Sequence, residues 1–132
     1  MINNARQTAP SQSQGKKALK VAINILNKWQ CSEQEKQAIL GISRSTLHKY
    51  QGNPDSARMT PDLLERTSYL LNIHQSLKML FDNDENVYGF VRYPNDNYYF
   101  NGAAPMEMMR SGLSSSLYEV NRQLDSLRGG QW

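Results

Sequence analysis

The sequence predicts an all-α fold. Apolar residues recur at helical spacing in several separate stretches, Ser, Thr and Pro mark helix starts ahead of them, and Gly or Pro clusters close them, while no stretch demands a strand.

Residues 1–15 are rich in Ser, Gln, Asn and Ala, have no apolar face and read as a disordered arm. From Lys16 the pattern changes. Leu19, Ala22, Ile23 and Leu26, widened by Val21, Ile25 and Trp29, predict a first helix over about 16–29. Ser32 followed by Glu33, Gln34 and Glu35 is a capping-box start, and Gly41 suits a tight exit. Ser43 caps a third helix through Tyr50, closed by Gln51-Gly52-Asn53-Pro54. Residues 16–52 thus form one small helical domain, and 53–60 a linker.

Thr60-Pro61-Asp62 opens a long helix with a cap, a proline at the first helical position and an acid in the first turn. Its stripe, with Leu70, Ile73, His74, Leu77 and Phe81 at its centre, covers too much circumference for a surface helix. Segment 61–82 is therefore either the core of the back half or a subunit interface, with His74 a hydrogen-bonded histidine in it. Over 83–132, a short helix is expected at Val87–Arg92 and a turn-rich aromatic loop to Phe100. Another helix starts at Pro105, and a last one carries Leu113, Leu117, Val120, Leu124 and Leu127 at 4-3-4-3 spacing.

Charge is unevenly placed. Fifteen Lys and Arg against twelve Asp and Glu give +3, but residues 1–52 carry +6 and residues 53–132 carry −3. A basic front of this kind suits a polyanion. One cysteine, Cys31, and two histidines, His48 and His74, exclude a disulfide framework and a zinc cluster, and point to a reducing cytoplasm. Asp82, Asp84 and Glu85 lack the glycine and distal glutamate of a calcium loop. The chain has neither a spanning segment nor a signal peptide's apolar stretch, so no membrane partner is expected. Neither a nucleophile–base pair, a carboxylate cleft nor a phosphate loop is present, so an enzyme is not expected, and no metal or cofactor is implied.

Glu33 to Tyr50 has the design of a helix-turn-helix, with Gly41-Ile42-Ser43 as the turn. The start of a recognition helix meets base edges in the major groove of double-stranded DNA. Ser43, Arg44, Ser45, Thr46, His48 and Lys49 are therefore the expected DNA contacts, Arg44 as a bidentate guanine ligand. Lys36, with Lys16, Lys17 and Lys20, would attract phosphates.

The run Leu40-Gly41-Ile42-Ser43-Arg44-Ser45-Thr46-Leu47, the long helix from Glu65 to Ile73, Tyr93-Pro94-Asn95 to Phe100-Asn101-Gly102, and Pro105-Met106-Glu107-Met108-Met109 resemble the Xre/MbcA/ParS-type antitoxins. The ending through Arg128-Gly129-Gly130-Gln131-Trp132 is similar to the RES-Xre branch. The resemblance implies a bacterial type II antitoxin that represses its own operon by binding the operator and neutralises a RES-domain toxin that depletes NAD. It further implies a homodimer, through the region of Leu70, Ile73, His74, Leu77 and Phe81, that assembles with toxin into larger complexes. Arg92, Asn95, Arg110, Arg122 and Arg128, with a tail of Gly129, Gly130 and Trp132, are the expected toxin contacts. A free-standing helix-turn-helix regulator with a C-terminal sensing or dimerisation domain is the alternative reading.

Overall fold

The computed structural model describes residues 11–97 and 99–129. Among them are helices α1 (Gln12–Lys28), α2 (Glu33–Leu40), α3 (Arg44–Gly52), α4 (Pro61–Leu80), α5 (Asp84–Gly89), α6 (Pro105–Met109) and α7 (Ser114–Arg128). Two 3-10 turns, Pro54–Ser56 and Phe90–Arg92, complete the regular structure, and no strand occurs among the described residues. The all-α expectation holds. None of these helices is long and apolar enough to cross a membrane.

Helix α1 starts before the expected Lys16. Ser11 Oγ accepts from the Gln14 amide and the Gln14 side chain accepts from the Ser11 amide, a complete capping box. Gly15, expected at the end of a disordered arm, is buried in the helix, where an added Cβ would lie 2.9 Å from both Met59 Cγ and Leu64 Cδ1. Gln12 holds the helix start to the segment after α3, donating to the Met59 carbonyl and accepting from the Met59 amide, each at 3.1 Å. The 53–60 linker is itself packed. Ala57 and Met59 are buried, and Tyr50 Oη accepts from the Arg58 amide at 3.1 Å.

The predicted caps of α2, α3 and α4 are present at Ser32, Ser43 and Thr60, and Gly41 leaves α2 at φ +67°. Helix α5 begins earlier than the expected Val87 because Asn83 in the acidic break accepts from the Asn86 amide and starts the helix at Asp84. After it, Asn95 and Ala103 close the aromatic loop across a turn that uses positive φ at Asn101 and Gly102. Phe100 in that loop is buried in the core.

Helix α4 is central, packing against α7 on one side and α1 on another, with α2 and α5 also in contact. Leu70, Ile73 and Leu77 are inaccessible within the single chain. This corrects their assignment to a dimer interface, because the stripe is consumed by the chain's own α1 and α7. His74 is half-buried and stacks on Tyr88 at 5.5 Å, and Phe81 packs against Phe90 at 5.5 Å. His74 Nδ1 is buried without a partner, contrary to the hydrogen-bonded histidine expected, and burial with Lys78 and Lys28 nearby lowers its pKa.

Polar side chains set the register of α7 on α4. Asn72 donates to Asn121 and Asp125, and Ser76, wholly buried, donates to Asp125 and accepts from Arg128 at 3.4 Å. A paired polar ladder of this kind penalises sliding, since a one-residue shift would break these bonds and leave the buried Ser76 hydroxyl unmatched.

Two arginines join the front and back of the chain. Arg66 of α4, 8% exposed, donates from Nη1 to the Ala38 and Ile39 carbonyls at the end of α2. Its Nη2 donates to the Gly112 carbonyl at 3.1 Å and its Nε to Asp62 at 2.9 Å. Arg92 donates to the carbonyls of Trp29 and Gln30, in the turn between α1 and α2, and through both Nη atoms to the Glu35 carboxylate at 2.8 and 3.0 Å.

Candidate functional site

The turn Gly41-Ile42-Ser43 sets α3 against α2, with Ile42 half-buried and Leu47 inaccessible as its anchors. This leaves the outer face of α3 to solvent. Arg44, Ser45, His48 and Lys49 are exposed on it. Ser43 and Thr46 are occupied in the cap, the Ser43 hydroxyl donating to Thr46 Oγ1 at 2.9 Å and accepting from the Thr46 amide. Four of the expected base and phosphate contacts are thus presented together along the outer side of one helix.

Lys36 is not among them. Its ammonium donates to Gln51 Oε1 at 2.9 Å and lies 3.7 Å from Glu33, with the residue 7% exposed. The expectation that it attracts phosphate is corrected: the side chain fills the gap between α2 and α3 and its charge is satisfied there. Two residues of this face escaped the sequence reading. Glu33 Oε2 stands 3.5 Å from His48 Nε2, and Gln51 lies on the same face as Arg44 and His48. The spacing 44, 48, 51 is the signal that finds Gln51, whereas Glu33 belongs to another helix and is found only in three dimensions.

In the back half the expected toxin contacts fall into three groups. Arg92 and Arg110 converge on Glu35. Arg92 has its donors engaged within the chain, while Arg110 is half-exposed and 3.6 Å from the Glu35 carboxylate. Asn95 orders the aromatic loop, its side chain accepting from the Asn97 amide at 2.8 Å. Arg122 and Arg128 project from α7, the first paired with Glu119, the second with Asp125 and the Met79 sulfur. Gly129 ends α7, and Gly130 and Trp132 lie outside the described residues.

Electrostatics marks Glu35 as the most perturbed acid. The hydrogen bonds from Arg92 hold its carboxyl down to about 2, helped by the Ser32 amide and Arg110 against the opposing effect of burial. Beside it, burial pushes the Cys31 thiol up to about 11, so the thiol stays protonated and weakly nucleophilic at neutral pH. Among the described residues, no group of His, Cys, Asp and Glu could hold a metal ion.

Residues 12–72 match the family described as "Antitoxin Xre-like helix-turn-helix domain", and residues 76–130 match "Antitoxin Xre/MbcA/ParS C-terminal toxin-binding domain". The first match begins with α1, and the two meet inside α4. The chain is also similar to the uncharacterized protein y4oB of Sinorhizobium fredii (strain NBRC 101917 / NGR234). It is 30% identical to that protein over 133 residues, covering 98% of this chain and all of the relative.

Proposed function

Because the chain belongs to the Xre-type antitoxins, a DNA-binding helix-turn-helix ahead of a toxin-binding domain and not an enzyme, we propose that its toxin is a RES-domain enzyme that depletes NAD. We propose also that it represses its own operon in the cytoplasm. The observation that carries the reading is the exposed start of α3, with Arg44, Ser45, His48 and Lys49 turned outward on a +6 front half, joined to a back half of toxin-binding type. The RES identity is supported by the similarity of the chain's ending to that branch.

Arg44 reads a base, Ser45, His48 and Lys49 bind bases or backbone, and Ser43 and Thr46 hold the helix start. Truncating Arg44 to alanine is expected to weaken operator binding by about 1–3 kcal/mol and to relax preference at one base pair. Anisotropy titrations against single-base variants of the upstream duplex check this. On the toxin side, Asn95, Arg110, Arg122, Arg128 and the Gly129–Trp132 tail contact the toxin near its substrate entrance. Arg92 supports that surface from within the chain. Removing residues 129–132 is expected to restore toxicity at equal antitoxin level, since Arg and aromatic anchors dominate interface energetics. A growth assay with quantified antitoxin reads the result.

The homodimer, as a two-fold partner for a palindromic operator, forms through surface other than Leu70, Ile73 and Leu77. The decisive experiment is co-expression with a RES-domain toxin. Cellular NAD and growth should be preserved. Depletion of NAD in the presence of this protein would remove the proposal.

A further inference from the structure

We infer that the cleft between α1 and the end of α3 seats a phosphate of the DNA backbone, held by Lys20, Asn24, Asn27 and Gln51. The inference rests on the DNA-binding reading and adds to it a second contact, on a different helix from the base-reading residues.

The cleft has a volume of about 220 Å³ and is lined by Lys20, Ile23, Asn24, Asn27, Tyr50, Gln51 and Pro54; among the described residues no carboxylate lines it. Its lining offers one ammonium and three side-chain amides, the donor set that recurs on phosphate oxygens. Lys20, Asn24 and Asn27 are spaced by four and three residues, which puts them on one face of α1, and all three are exposed. The helix they belong to carries Lys16, Lys17, Lys20 and Lys28 and no acid from Gln12 to Lys28.

Gln51 is oriented for the task from behind. The Lys36 ammonium can only donate, so the Gln51 oxygen must face it at 2.9 Å, and the amide NH2 is left as a donor on the other side. The buried lysine thereby acts on the anion through Gln51 without touching it. Arg44, His48 and Gln51 occupy one face of α3, so the cleft continues the presented face at the far end of the helix from Arg44. A duplex read by the start of α3 would meet the cleft with its backbone.

The test uses the full chain, the duplex upstream of its own gene and an unrelated duplex of equal length, titrated between about 50 and 200 mM salt. Lys20→Gln is expected to reduce the slope of log K against log salt by about one on both duplexes. Gln51→Glu keeps an oxygen for Lys36 but places a negative charge in the cleft, and should weaken both duplexes about tenfold or more at low salt. Lys78→Gln, on the exposed side of α4, should leave slope and affinity unchanged, and thermal melts confirm that each variant is folded. If the wild type binds neither duplex, the DNA-binding reading fails. If it binds and Lys20→Gln keeps the full slope, the cleft proposal alone fails. Stabilisation by inorganic phosphate that Lys20→Gln abolishes, with the DNA slope unchanged, would make this a free-anion site and overturn the assignment to the backbone.

Discussion

Replacing Arg66 by methionine is expected to cost about 2–4 kcal/mol of folding stability. The stem is kept, but the Ala38, Ile39 and Gly112 carbonyls lose their donor in a place where the side chain was 8% exposed. Each buried acceptor left unmatched costs about 1–3 kcal/mol before relaxation, and the end of α2 also loses a cation at its negative pole. Against a typical total of about 5–15 kcal/mol, this is a large fraction of the fold. Urea denaturation at neutral pH measures it, and a loss under about 1 kcal/mol would contradict the role given to Arg66. A second substitution sharpens the test. Gly41→Ala adds a Cβ 2.7 Å from Arg66 Cζ at a backbone φ of +67°. In an Arg66→Ala background both the guanidinium and the stem that the new Cβ would strike are gone and only the cost of the left-handed backbone, about 1 kcal/mol, should remain, so the two changes should be markedly non-additive.

The pair Glu35 and Arg92 makes the second large effect, and it depends on pH. Glu35 titrates at about 2 in the folded chain against an ordinary 4.5, so the folded state favours its ionised form. The stabilisation is therefore complete above pH 4.5 and disappears as pH falls through 2. Its size is on the order of 3 kcal/mol. Arg92→Met should lose most of this at neutral pH, together with the two hydrogen bonds to Trp29 and Gln30. It should also flatten the acid limb of stability between about pH 4.5 and 2, leaving the slope due to the remaining carboxylates. Parallel denaturation curves for wild type and variant across that range isolate the Glu35 contribution. Identical slopes would show that Arg92 does not hold the carboxylate down.

Much of the fold is local chemistry and could be read from short windows. Ser32 with Glu35, Gly41, Ser43, Thr60-Pro61 and Pro105 each govern a helix end through atoms within four residues, and each stands where expected. The same kind of signal was present and overlooked at Ser11 with Gln14, where a polar composition masked a capping box. What could not be read depends on distance along the chain. Periodicity identifies the face shared by Leu70, Ile73 and Leu77 but is silent on whether that face meets α7 of the same chain or a second copy. Lys36 and Lys20 are both lysines of a basic front half. Only the packing of α2 on α3 separates the one buried behind Gln51 from the one left in solvent. Arg92 is expected as a toxin contact, and its partner Glu35 lies 57 positions away.

The position of α4 bears on how this protein loses its structure. The helix supplies core residues to the front half through α1 and α2 and to the back half through α7, and both family matches run into it. A protease that engaged α7 would strip the wall against which Leu70, Ile73 and Leu77 are packed, and the helix-turn-helix would lose its own support in the same event. Loss of structure is then all or none: under the proposed function, the surface that meets toxin and the surface that meets DNA would go in the same event.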